Sequence, residues 1–203
     1  LGARGAQRTT RSAGRAGLTG LDGVVVTILR DTLIERDLLL ERAATIRDTA
    51  FGAKAPEALQ SQSLIGLLWY RQGRYPEAED LLNGVLARQR SILGNDHSDV
   101  FLSAVRLSWV LIEDGRYAEA EELLLDILER QRRVLGEEHR DTATTMNSLA
   151  VVYNDQERYG EAQALHSEVL AIRSRVLGPT DPDTLKSMTN LAILSYYQGR
   201  LDD

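Results

Sequence analysis

Along the clearest stretches of this chain, apolar and polar positions recur with helical and not strand spacing. Thr142, Met146, Leu149, Ala150 and Tyr153 return at intervals that put one apolar stripe on a helix. After a Gln-Glu-Arg break, Tyr159, Ala162, Leu165, Val169, Ile172 and Val176 predict a second helix. That helix should stop at Leu177-Gly178, because glycine reaches the left-handed conformation that closes a helix C-terminus. No segment alternates with period two, the pattern of a half-buried strand. The prolines agree: Pro56, Pro76 and Pro182 fall in first turns, where a missing N–H costs nothing, and Pro179 follows a stop. The pattern predicts an all-α chain.

The two-helix unit recurs every 42 residues. Gln72-Gly73-Arg74-Tyr75, Asp114-Gly115-Arg116-Tyr117, Gln156-Glu157-Arg158-Tyr159 and Gln198-Gly199-Arg200-Leu201 keep that interval, as do Leu93-Gly94, Leu135-Gly136 and Leu177-Gly178. His97, His139 and Asp181 hold one slot, followed by Asp99, Asp141 and Asp183. The register reaches back to Phe51-Gly52 and Pro56 with drifted residues. Two amphipathic helices of about 15 to 19 residues cannot bury both apolar faces alone, but stacked pairs cover one another. The expected architecture is an α-solenoid, a right-handed superhelix of antiparallel pairs, with helix A inside and helix B outside. On the outer helices Asp126/Arg130 and Glu129/Arg133 stand four residues apart and should pair.

Composition narrows the function. With 24 basic against 30 acidic residues the net charge is −6, which argues against a general nucleic-acid or anionic-membrane binder. Four of the basic residues (Arg4, Arg8, Arg11, Arg15) lie in the acid-free first 20, so the other 183 residues carry −10. No run of 18 apolar residues predicts a membrane span. The absence of cysteine excludes disulfides, thiol catalysis and sulfur-ligated zinc.

Candidate chemistry is sparse. His139-Arg140-Asp141 has an asparagine, Asn147, six residues after the aspartate, where the kinase catalytic loop needs five, and no phosphate loop accompanies it. Its slot reads better as a helix start, with a carboxylate near the positive end of the helix dipole. His97, His139 and His166 are too dispersed for a metal constellation, and paired acids such as Glu121/Glu122 fit a solvated face. No enzyme, metal site or cofactor is expected.

The Gln-Gly-Arg-Tyr-x-Glu-Ala string at 72–78 and the closing Leu-Gly resemble a tetratricopeptide repeat. The 42-residue period, with Asp181-Pro182-Asp183-Thr184 and Asn190-Leu191-Ala192, is similar to the kinesin light chain subtype. The division expected is a basic Arg/Gly-rich, loosely ordered segment at 1–19 and a degenerate first repeat at 20–54. Repeats then fill 55–203, the last cut after its first helix. That last helix A would leave Met188, Leu191 and Leu194 uncovered and could join copies of the chain into a homo-oligomer. The resemblance implies a cytoplasmic, intracellular scaffold that binds a peptide or partner protein in its concave groove. The alternative is a regulatory sensor array of a larger kinase or NTPase, or a self-association module.

By the repeat register Leu67, Trp109, Val151 and Ile193 form an apolar ridge on the inner face. Beside it run Arg71, Ile112, Asn154 and Tyr196. In kinesin light chains basic and asparagine residues of the groove hold acidic, tryptophan-containing peptides, and Asn147 and Asn190 match the asparagines. The groove is therefore expected to use Leu67, Trp109, Val151 and Ile193 for contact, oriented by Arg71, Arg106, Asn147 and Asn190.

Overall fold

The computed structural model describes residues 55–197, with isolated positions at Leu38, Arg42, Thr45, Ile46, Thr49 and Gly52. The chain divides into two compact units, 1–43 and 44–203, and the fold below is that of the second. The segments 1–19 and 198–203, and nearly all of 20–54, lie outside the described residues.

Seven helices follow one another with no strand among the described residues: α1 (Pro56–Arg71), α2 (Tyr75–Leu93), α3 (Ser98–Glu113), α4 (Tyr117–Val134), α5 (Arg140–Asp155), α6 (Tyr159–Val176) and α7 (Pro182–Tyr197). Odd helices are the A helices and even ones the B helices. A helices start on the slot that the sequence marked. The Nδ1 atoms of His97 and His139 accept from the N–H groups of Asp99 and Asp141 at 3.2 and 3.1 Å. Asp181 Oδ1 accepts from Asp183 N–H at 2.8 Å. Each bond satisfies an amide that the helix itself leaves open.

The turn from A to B has one geometry in three repeats. The N–H groups of Gly73, Gly115 and Glu157 bond three residues back, to Tyr70, Ile112 and Asn154. The next N–H groups, of Arg74, Arg116 and Arg158, reach five residues back, to Trp69, Leu111 and Tyr153. The chain must take a positive φ there, +75° at Gly73, +74° at Gly115 and +62° at Glu157. The turn arginines then tie repeats together. Arg116 bonds Glu79 of the preceding repeat at 2.6 Å and Arg158 bonds Glu121 at 2.8 Å, while each also holds its own glutamate, Glu119 or Glu161.

Each helix packs on the next, and α1 also touches α3, as α3 touches α5. The A helices thus form the close-packed layer. Ala78, Ala120 and Ala162, and Val85, Ile127 and Val169, recur at fully buried B-helix slots, with Leu82 and Leu124 beside them. At the leucine slot of the third repeat stands His166, 3% exposed. Below it the slot of Gln89 and Gln131 becomes Arg173, whose guanidinium donates to the Asp183 carbonyl and to Ser187 Oγ.

Three expectations need correction. Arg133 pairs with Asp96 and not Glu129, because the loop before α3 brings a carboxylate to 2.9 Å, although Asp126–Arg130 forms as expected. Val176 is 47% exposed, since it stands in the last turn beyond the packed part of α6. Leu194 is 2% exposed, because it turns toward the body of the repeat, while Met188 is 42% exposed. No described helix is long and apolar enough to cross a membrane.

Candidate functional site

The A-helix layer carries a cavity of about 200 Å³ where α1, α3 and α5 meet. Its lining includes Tyr70 from α1, Trp109, Ile112 and Glu113 from α3, and Asn147 and Val151 from α5, with Ser148 beside them. Trp109 and Glu113 share a face because four residues is about one helical turn. Trp109 is half-buried, and its indole N–H donates to Ser148 Oγ at 2.9 Å. That bond satisfies the polar edge and fixes the ring as a wall. Tyr70 packs against Trp109 with ring centroids 6.1 Å apart, and against Tyr75 at 5.9 Å.

The Glu113 carboxylate accepts from the hydroxyls of Tyr70 at 3.3 Å and Tyr75 at 3.5 Å. Burial, reinforced by the nearby Glu113 charge, pushes the Tyr70 phenol up to about 12. Asp155, at the end of α5, is raised above the ordinary aspartate range by burial, and the Glu113 charge adds to the shift. Asp155 does not itself line the cavity.

The cavity brings together Trp109, Asn147 and Val151 of the residues expected from sequence. Asn190 joins them indirectly, its Nδ2 donating to Asn147 Oδ1 at 2.9 Å. Leu67, half-buried, and Ile193, 48% exposed, do not line the cavity. Arg71 is exposed and does not line it. The repeat interval explains why: 42 residues before Ile112 stands Tyr70, whereas Arg71 shares its slot with Glu113.

Arg106 is removed from the set that could meet a partner. It is 7% exposed and donates to Ser63 Oγ at 2.7 Å. Burial lowers its guanidinium to about 10, a cost that Asp99 opposes and Arg71 deepens. Sequence reasoning misses Tyr70, Tyr75 and Glu113, although the Ile112 slot counted back by one period, and Glu113 one turn after Trp109, are signals in the sequence.

A larger cleft, about 470 Å³, lies between α2 and α4 over Leu107 and Leu111. Most of its charges pair with one another: Arg116 holds Glu79 and Glu119, and Arg90 stands 3.6 Å from Asp126. Both of that cleft's arginines are thus already engaged by its own carboxylates. Among the described residues no group of three His, Asp or Glu side chains could hold a metal.

A family model described as tetratricopeptide repeat matches residues 57–132, 99–166 and 141–203, overlapping windows without a gap. The chain belongs to the tetratricopeptide repeat family. Such repeats generally mediate protein–protein interaction. Among solved structures, the chain is similar to the nearly identical TPR-like repeats of a kinesin light chain-like protein of Podosopora anserina. Identity there is 27% over 85% of this chain and 82% of that one, with a TM-score of 0.65. A singly substituted form of the same protein gives 0.66 at the same identity and coverage. BtubC (BKLC) from P. vanneervenii superposes with a TM-score of 0.70 over 88% of this chain and 74% of that one, at 23% identity, and shares the fold. No curated protein matches the sequence significantly. Tetratricopeptide repeats of the kinesin light chain-like kind are thus the setting in which the cavity sits.

Proposed function

We propose that this tetratricopeptide array is a non-enzymatic interaction module that captures a segment of a partner protein along its A helices, centred on the cavity at Trp109. The observation that carries this reading is the cavity's construction: three successive repeats each supply part of it, and Trp109, which lines it, is held in place by Ser148. At about 200 Å³ it is smaller than the roughly 300–1,000 Å³ of small-molecule clefts, so it suits one or two side chains of a segment that runs across neighbouring repeats. A preorganised aromatic wall is the kind of residue that dominates binding energy at protein interfaces. Val151 and Ile112 supply apolar contact, and Asn147 offers an amide for a backbone group.

The test is position-specific crosslinking. A photoreactive phenylalanine replaces Val151 on the A layer or, in a second protein, Leu125, which is 44% exposed on the B helix α4. The expected result is a discrete adduct from position 151 that is absent from 125 and is lost when Trp109→Ala is added. Equal labelling from both positions, or labelling from 125 alone, would overturn the reading.

A further inference from the structure

The floor of the Trp109 cavity is apolar and aromatic, and its lining carries one carboxylate, Glu113, that no described base pairs with. Glu113 accepts only from two tyrosine hydroxyls and has no ion pair with any described basic residue. Arg71, next to Tyr70 in sequence, makes none with it either, and Arg74 is held by Glu77. Asp155 adds a second carboxylate close enough to be perturbed by Glu113.

The helices sharpen this imbalance. Every B helix carries arginine in its last turn: Arg90 in α2, Arg132 and Arg133 in α4, Arg173 and Arg175 in α6. Those cations oppose the negative C-terminal end of the helix dipole. Among the A helices at the cavity α1 ends on Arg71, but α3 and α5 have no base in the last turn and end instead on Glu113 and Asp155, with Asp114 as the cap of α3. Carboxylates at helix C-termini add to the dipole's negative end, an arrangement that destabilises the unliganded chain and that a cation would relieve.

The aromatic faces fit the same ligand. This chain already stacks guanidinium groups on rings elsewhere, Arg74 at 4.5 Å from the Trp69 centroid and Arg158 at 3.9 Å from that of Tyr153. No described cation covers Tyr70 or Trp109, whose rings wall the cavity beside the carboxylate. A ring face attracts a cation through its quadrupole, and more strongly where water is partly excluded. A carboxylate one helical turn from the indole supplies the charge-assisted hydrogen bonds that the cation's N–H groups need.

We propose that the cavity walled by Tyr70, Trp109 and Val151 and rimmed by Glu113 takes the arginine or lysine side chain of the captured segment, the aliphatic stem lying on Val151 and Ile112. This rests on the docking reading above and specifies its chemistry: the partner presents a basic residue flanked by apolar ones. It also differs from the acidic peptides that kinesin light chain grooves hold, because Arg106, the base nearest to the ridge in sequence register, is spent on Ser63.

The full chain carrying Trp69→Phe keeps Trp109 as its only tryptophan and so reports on this cavity. It is titrated to millimolar concentration with acetyl-Leu-Arg-Leu-amide and with the glutamine and glutamate counterparts, reading tryptophan emission. The arginine peptide should bind at least tenfold more tightly than the glutamine peptide, with an affinity that falls as salt rises. Glu113→Gln removes the charge while keeping one oxygen acceptor, enough for one of the two tyrosines, and should abolish that preference with unchanged far-ultraviolet circular dichroism. Glu113→Lys should favour the glutamate peptide. If the glutamine or glutamate peptide binds as tightly as the arginine peptide, or if the preference survives Glu113→Gln, the charge assignment fails while the docking reading stands. If no peptide of any charge perturbs Trp109, both fall.

Discussion

Gly66 in α1 lies so close to α2 that a methyl group there would sit 2.6 Å from Leu82 Cγ. The next repeats carry Ser108 and Ala150 in that slot, so the close approach belongs to the first helix pair. Gly66→Ala should therefore destabilise by roughly 1–3 kcal/mol through overpacking. Gly84, mid-helix in α2, meets nothing nearer than Arg88 Nη2 at 3.9 Å. Gly84→Ala should stabilise by about 0.5–1 kcal/mol, since the helix no longer bears glycine's entropy cost. Urea melts of the two variants should move in opposite directions. Glu157 is the companion case: its φ of +62° occupies a turn position that glycine fills at 73 and 115. Releasing the strain is worth roughly 1 kcal/mol. The added freedom of the unfolded chain opposes it by about 0.4–1 kcal/mol. Glu157→Gly should leave the melting temperature unchanged or slightly raised, and a clear fall would contradict the shared turn geometry. This position is legible from sequence because the turn recurs at a fixed interval and only one copy lacks glycine. Tyr70 is equally legible at that interval and is missed only where a displacement of one residue in the first repeat puts Arg71 in its place.

At the scale of helices, the α6–α7 contact differs from those before it. His166 replaces the leucine of the first two repeats, and Arg173 replaces glutamine. His166 Nδ1, Arg173 Nε and Thr184 Oγ1 are buried there without a hydrogen-bond partner. Burial lowers the His166 imidazole from 6.5 to about 4, and the Arg173 charge adds to the shift. The native state holds this histidine neutral, whereas the unfolded chain protonates it near its ordinary value. It therefore costs no stability at neutral pH and destabilises the fold progressively as pH falls from about 6.5 to about 4, by up to about 1.4 kcal/mol per pH unit. His166→Leu should remove that slope. Asp183, held down to about 2 by Arg140 and Lys186, should still lose stability below its ordinary 3.8 in both proteins. A difference in urea midpoint between variant and wild type that stays constant from pH 7 to 4 would show that His166 is not buried neutral. Periodicity predicts that a residue at 166 packs inward, but a histidine in a sequence reads first as a metal ligand and not as a substituted core leucine. Arg106 is misjudged for a related reason: the register identifies an inward slot without showing which inward slots the neighbouring A helix covers.

For the whole molecule, the repeat interval makes the fold highly legible, because each helix need only meet its sequence neighbours and the same slots recur. The site is less legible because it is a junction: Tyr70, Trp109 and Val151 come from three repeats and meet only when the A helices stack. The central claim is that this junction serves binding more than it serves folding. Trp109 decides it, being half-buried, hydrogen-bonded to Ser148 and packed against the core from one side. The direct measurement is a paired one on Trp109→Ala: the urea midpoint, and the affinity of the folded protein for the partner that the position-151 crosslink identifies. Loss of a binding anchor costs about 2 kcal/mol or more of affinity. Loss of a fully packed core tryptophan costs roughly 3–5 kcal/mol of stability. The affinity loss should be larger than the stability loss. A protein that unfolds several kcal/mol more easily, yet binds its partner undiminished when folded, would contradict it.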